Sequence, residues 1–267
     1  MRHGSLFNGL GGFQLAAEWL GWDNIFHCEI DDWLNELIKT RFPNSIKHGD
    51  ITNTDFAIYR GRIDVISGGD PCQPHSKAGK QKGIADARFL WPQMLRAIKE
   101  VWPGWVVNEN VRGSLSNGVL DSKVSDLEGA GYSCWPPLLI PSGATKAIHE
   151  RYRVWLVAYS NENANGYHSG EIQREARKEQ DHEQGEDGKW LRPIPGSILS
   201  EQNWEEVASR LCGSVDGLPD KMDRNEAIGN AIDPHIAYEI FKAIQMSSEQ
   251  NDERSVANPM PNEPSDG

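Results

Sequence analysis

Short apolar runs that end on glycine or an acidic residue alternate along this chain with amphipathic stretches, and no other feature constrains the fold as much. SLFNGLGGF closes a strand on a glycine turn, after which QLAAEWLGW repeats Leu15, Ala16, Trp19 and Leu20 at helical spacing. NIFHCEI reads as a second strand and DDWLNELIKTRF as a helix capped by Asp31 or Asp32. IDVISGG, FLWPQMLRAIKEV, WVVNENV and DSKVSDLEGAG continue the order strand, helix, strand, helix, the last ending at glycine. Such alternation predicts the α/β class, with an open, mostly parallel sheet and helices on both faces.

The regularity stops after GYSCWPPLLI and RVWLVAYS. Residues 161–189 are polar and lack apolar periodicity, and residues 190–218 regain tryptophan, proline and leucine, so 161–218 reads as a small insert. RNEAIGNAIDPHIAYEIFKAI, within 219–246, returns to a glycine turn and an amphipathic helix, and the tail 247–267 is read as disordered. No internal repeat is present. A chain of 267 residues suffices for one sizeable domain carrying such an insert.

The cysteines, at 28, 72, 134 and 212, show no CxxC spacing, so neither a disulfide scaffold nor a metal site is expected, and a reducing cytoplasm fits. No apolar run approaches the roughly 18 residues of a membrane span, and MRHGSLFNG lacks the order of a signal peptide. The expectation is a soluble intracellular protein. A net charge of −12 speaks against a phosphate-binding surface, but residues 160–189 hold eight acidic and four basic groups, and 247–267 five and one. Those segments account for −8, which leaves −4 for the remainder and room for a basic face.

Three strand ends carry polar groups in an order that suits a nucleoside. FNGLGGF supplies a turn that a ligand can approach closely, Glu29 a carboxylate for two ribose hydroxyls, and Asp50 an acceptor for a base edge. An ordinary strand-to-helix turn explains the glycines equally well. In GGDPCQPHS, Cys72 stands on the loop after IDVISGG, on the same sheet edge. A lone cysteine is more often buried and inert, yet a Gly-Gly-x-Pro lead restricts the backbone as a rigidly held nucleophile requires. Glu109 and Asn110 end the next strand, as an acid and amide for a heterocycle or as turn formers. Arg151 and Arg153 share one strand face, either for an anionic or carbonyl partner or as a solvated edge.

Taken in order, FNGLGG, Glu29, GDI, GGDPCQPHSKAGKQKG, ENV, HERYRV and RNEAIGNAI resemble the motifs of cytosine C5 DNA methyltransferases of phages and bacteria, over nearly all of the chain except insert and tail. The resemblance implies a Rossmann-like doubly wound core over 1–160, a reduced target-recognition region at 161–218 and a return to the core at 219–246. It implies S-adenosylmethionine as cofactor and double-stranded DNA as partner, with a flipped cytosine attacked at C6 by Cys72. Glu109 is then the acid at N3, Arg153 the contact on the O2 side, Arg151 a support for loop or phosphate, and Asn110 a brace for the nucleophile loop.

By the same resemblance Phe7, Asn8, Gly9, Gly11, Gly12, Glu29, Ile30, Asp50, Ile51, Asp70, Pro71, Asn230 and Ala231 surround the cofactor. Gln73, Ser76, Lys77, Lys80, Gln81 and Lys82 belong to a loop closing over DNA, and Trp190, Arg192, Gln202, Asn203 and Arg210 are candidate base readers. So small a reader implies a short site, about two to four base pairs given the roughly 1 to 3 kcal/mol of each contact. His75, His149 and Ser5 depart from the family's usual Phe, Gln and acidic residue. Two alternatives share most of these residues: an RNA cytosine methyltransferase, and a DNA-binding relative impaired in catalysis. A monomer without metal is expected.

Overall fold

The computed structural model of the chain describes residues 1–71, 89–115, 118–141, 152–161 and 231–257. In chain order these form β1 (Arg2–Leu6), α1 (Gly12–Trp19), β2 (Asp23–Cys28), α2 (Asp32–Arg41), β3 (Ile46–His48), β4 (Val65–Gly68), α3 (Trp91–Val101), β5 (Trp105–Val111), α4 (Val119–Gly129), β6 (Tyr132–Cys134), β7 (Leu138–Pro141), β8 (Tyr152–Ser160) and α5 (Pro234–Ala257). One-turn helices at Ile51–Asn53 and Ala57–Tyr59 bridge β3 to β4.

The strands make one mixed sheet in the order β3-β2-β1-β4-β5-β8-β6, and β7 lies along β8 beyond the end of β6. β1 runs parallel to both β2 and β4, and β5 continues the parallel run beside β4. β8 is antiparallel to β5, β6 and β7. The chain winds outward from β1 to β3 and restarts on the other side of β1 with β4, which opens a crevice at the carboxyl edge between them.

Side chains of successive strand residues enter opposite layers. Val154, Leu156 and Ala158 of β8 join Ile66, Met94, Ile98 and Leu127 in the layer of α3 and α4. Trp155, Val157 and Tyr159 join Val65, Phe13, Ile236 and Phe241 in the layer of α1 and α5. With both faces covered, β8 is apolar without alternation, and this is why RVWLVAYS shows no period of two. Both layers follow the sequence expectation of a doubly wound sheet.

Helix α5 starts on an Asp-Pro pair. His235 N donates to Asp233 Oδ1 at 3.0 Å, and Pro234 takes the first helical position, where its missing N–H costs nothing. It then runs to Ala257, past residue 246, where the sequence predicted order to end. Polarity there does not exclude a helix, and no glycine or proline interrupts 247–257. Gln245 Nε2 donates to Glu249 Oε1, and Ser248 Oγ to the Ile244 carbonyl, each at 3.0 Å. Residues 258–267 and all but the first residue of the 161–218 insert lie outside the described residues.

Candidate active site

A cleft of about 520 Å³ opens at the carboxyl ends of β1, β2, β4 and β5. Its first half is built around the turn after β1. Phe7 sits at φ 51°, a left-handed conformation that costs an aromatic residue about 1 to 3 kcal/mol and tends to mark sites. The Asn8 amide donates to the Cys28 carbonyl at 3.1 Å, tying this turn to the end of β2. Glu29 follows β2, and its two carboxylate oxygens accept from Gly9 N at 2.7 Å and Asp31 N at 3.0 Å. The carboxylate is thereby fixed at the cleft wall.

After the neighbouring β3, Asp50 Oδ1 accepts from Thr52 N at 2.8 Å, and the hydrogen bonds from the Thr52 backbone and side chain hold the Asp50 carboxyl below its usual range. Ile30 is left 72% exposed beside the cleft while Ile51 is buried, so an apolar surface waits uncovered next to two carboxylates. Cys28 also lines the cleft, and its Sγ donates to the Gly49 carbonyl at 3.0 Å. Burial, then the neighbouring Glu29 and Asp50, push this thiol up to about 12. Burial and Glu128 do the same to Cys134. Neither is a thiolate near neutral pH, so neither is a candidate nucleophile.

The second half lies where β4, β5 and β8 end together. Glu109, buried near the end of β5, pairs with Arg153 of β8, Nε to Oε1, at 2.7 Å. Register explains the meeting: Arg153 faces Val111, and Trp155 faces Glu109, so the pair is diagonal across neighbouring strands. Gly69 lets this carboxylate close in, since a Cβ there would stand 3.2 Å from Glu109 Oε2 and 3.3 Å from Ile232 Cδ1. Asp70 and Pro71 continue the wall from β4. Beneath them Asp70 Oδ1 accepts from Lys123 Nζ at 2.5 Å, Asn108 Nδ2 at 2.8 Å and Asn110 Nδ2 at 3.4 Å. The site thus pairs a nucleoside-sized pocket with a buried carboxylate held in an ion pair.

The family model for C-5 cytosine-specific DNA methylase matches residues 1–213. The chain belongs to that family. Among curated relatives, the Type II methyltransferase M.Eco47II of Escherichia coli is 34% identical over 166 residues, 60% of this chain and 40% of that enzyme. M.NgoMIV of Neisseria gonorrhoeae is 31% identical over 207 residues, 74% of this chain and 60% of its own length. The chain therefore spans less than two thirds of these relatives. Among solved structures, the Entamoeba histolytica methyltransferase EhMeth shares the fold at TM-score 0.60 and 14% identity, over 91% of this chain and 97% of that one.

Of the residues that the methylase resemblance singles out, Phe7, Asn8, Gly9, Glu29, Ile30, Asp50, Ile51, Asp70, Pro71, Glu109, Asn110, Arg153 and Ala231 line the one cleft. Gly11 and Gly12 do not. They lie behind the wall, where Gly11 caps α1 at φ 80° and Gly12 leaves room for the Ile232 backbone, whose carbonyl oxygen would be 2.5 Å from a Cβ. Cys72, Gln73, His75, Ser76, Lys77, Lys80, Gln81, Lys82, His149, Arg151, Trp190, Arg192, Gln202, Asn203, Arg210 and Asn230 lie outside the described residues. Sequence reasoning missed Lys123 and Asn108. The signal for Lys123 was its helical phase, since it shares the buried face of α4 with Val119, Leu120 and Leu127.

Among the described residues no helix is long and apolar enough to cross a membrane, and no cluster of His, Cys, Asp and Glu could hold a metal.

Proposed function

We propose that this chain transfers a methyl group from S-adenosylmethionine to C5 of cytosine in DNA, with Cys72 as nucleophile. The observation that carries this reading is the buried Glu109 carboxylate, fixed by Arg153 at 2.7 Å on the wall that Asp70 and Pro71 continue, immediately before Cys72 in the chain.

The residues of the first half of the cleft fit the cofactor. Glu29 offers carboxylate oxygens to a ribose diol, and the exposed Ile30 with Ile51 offers apolar cover to an adenine ring. Buried Asn8 Oδ1 has no hydrogen-bond partner among the described residues, an acceptor left for a ligand donor. When bound, S-adenosylmethionine supplies a methyl group as an electrophile.

The protein's own contribution is to make cytosine nucleophilic at C5. Taken out of the base stack, the ring presents its N3 and N4 edge to Glu109. Addition of the Cys72 thiolate to C6 puts an electron pair on the ring, and a proton from Glu109 at N3 accommodates it. Arg153 orients Glu109 and stands on the O2 side. After methylation, loss of the C5 proton to water, expulsion of the Cys72 thiolate and return of the N3 proton to Glu109 restore the aromatic ring.

The test is incubation of DNA, and separately of transfer RNA, with the protein and S-adenosylmethionine carrying a deuterated methyl group, followed by mass spectrometry of the nucleosides. Labelled 5-methyldeoxycytidine is expected. Label confined to RNA would replace the substrate, and label in neither would refute the activity.

A further inference from the structure

Under the wall of the cleft lies an ion pair cut off from water. The Lys123 and Asp70 side chains are 1% and 0% exposed, with Nζ and Oδ1 2.5 Å apart. Asn108 completes the arrangement by accepting from Lys123 Nζ at its Oδ1 (2.9 Å) and donating from its Nδ2 to Asp70 Oδ1 (2.8 Å) and to the Gly68 carbonyl (2.9 Å). Asn110 adds a longer contact to the same carboxylate oxygen. The Lys123 ammonium also stands 4.9 Å from the centre of the Trp91 ring, whose Nε1 is held by Asp126. Three elements, α4, β5 and the end of β4, thus meet on one carboxylate.

Packing alone does not call for these groups. At its place on the buried face of α4, an apolar residue would continue the pattern of Val119, Leu120 and Leu127. Moving two ions out of water is costly, and a well-packed apolar pair is commonly as stable or more so. Asp70 Oδ2 is buried without a hydrogen-bond partner among the described residues, a further cost. What the network does achieve is direction. It fixes the side chain of the residue two before Cys72, with Pro71 between them restricting the backbone further.

We propose that Lys123 and Asn108 are positioning residues which, through Asp70, hold the exit of β4 so that the chain leaves Pro71 in the direction that the nucleophile requires. The proposal rests on the reading of Cys72 given above.

The experiment uses duplex DNA carrying 5-fluorocytosine, whose C5 substituent cannot leave as a proton does, so the protein remains covalently attached after methylation. Adduct formation is timed at saturating S-adenosylmethionine for the wild type, Cys72→Ala, Lys123→Met, Asp70→Asn and the double variant Lys123→Met/Asp70→Asn. Binding of S-adenosylhomocysteine and thermal unfolding are measured on each. The double variant leaves no buried charge unpaired, so it keeps the test decisive even where a single variant does not fold.

The expected result is adduct formation slower by about tenfold or more per folded molecule in Lys123→Met and in the double variant, because small misplacements of reacting groups have effects of that order. In Lys123→Met, S-adenosylhomocysteine affinity should remain within about threefold, since Lys123 does not line the cleft. An unchanged rate per folded molecule in the double variant, with only its unfolding temperature moved, would reduce the network to a structural role and overturn the proposal. Absence of a wild-type adduct, or its persistence in Cys72→Ala, would overturn the nucleophile reading and this proposal with it.

Discussion

Glu109 has its position fixed twice, by the Arg153 guanidinium and by the missing side chain of Gly69. Replacing it by glutamine keeps the shape and removes the proton, so kcat for methyl transfer should fall by at least about 100-fold, the usual contribution of an acid. A steady-state assay at saturating DNA measures this, and a loss below about tenfold would remove Glu109 from the acid role. Gly69→Ala should act on the same group indirectly, because the added carbon arrives 3.2 Å from Glu109 Oε2 with Ile232 closing the other side at 3.3 Å. Lower kcat with little change in cofactor affinity is expected, and an unchanged kcat would show that the carboxylate can move aside. Glu109 and Arg153 were legible because both stand in short motifs at strand ends. Lys123 was not, because its partner lies 53 positions earlier in the chain and only the tertiary fold brings them together.

Elements supply what no single motif states. The loop carrying Asp50 and Ile51 is held from behind by helix α3. Arg96 donates to the Ile51 carbonyl at 2.5 Å, to the Thr54 carbonyl at 3.1 Å and to Glu100 Oε1 at 2.7 Å, while Glu100 Oε2 accepts from Phe56 N at 2.9 Å. Two residues one helical turn apart thus hold the pocket wall in place. Arg96→Met should weaken S-adenosylhomocysteine binding by about tenfold, the worth of one charge-assisted hydrogen bond, without touching the ligand. Calorimetric titration tests this, and an unaltered affinity would mean that the loop holds its own shape. The sequence announced α3 through its amphipathic pattern but not that its polar face would grip a neighbouring loop. Glycines 11 and 12 show the converse. The sequence placed them around the cofactor, and in the structure Gly11 stands against Ile38 of α2 and Phe42 beyond it, and Gly12 against Ile232.

At the scale of the molecule, alternation of strand and helix was enough to foresee a sheet covered on both faces, because each strand had to bury both sets of side chains. It was not enough to foresee that α5 continues to Ala257, since polar residues without glycine or proline suit a solvated helix as well as a tail. Closure of the sheet also buries two histidines. Burial lowers His3, between Asn24 and Ser67, and His27, beside Ser45, to about 4 from an ordinary 6.5. Both are neutral in the folded chain, and the unfolded chain takes up protons first as pH falls. Stability is therefore full above about pH 6.5 and declines as pH drops toward 4. Thermal unfolding across that range should show this decline, with His3→Gln flattening part of it, and a constant unfolding temperature would contradict the burial of both rings.

Whether this one cleft joins a methyl donor to a cytosine is decided by incubating the purified chain with S-adenosylmethionine and unmethylated genomic DNA and mapping 5-methylcytosine by bisulfite sequencing, with Cys72→Ala in parallel. Methylation confined to one short sequence context and absent with the variant is expected. Methylation in no context, or equal methylation by Cys72→Ala, would contradict that reading of the cleft.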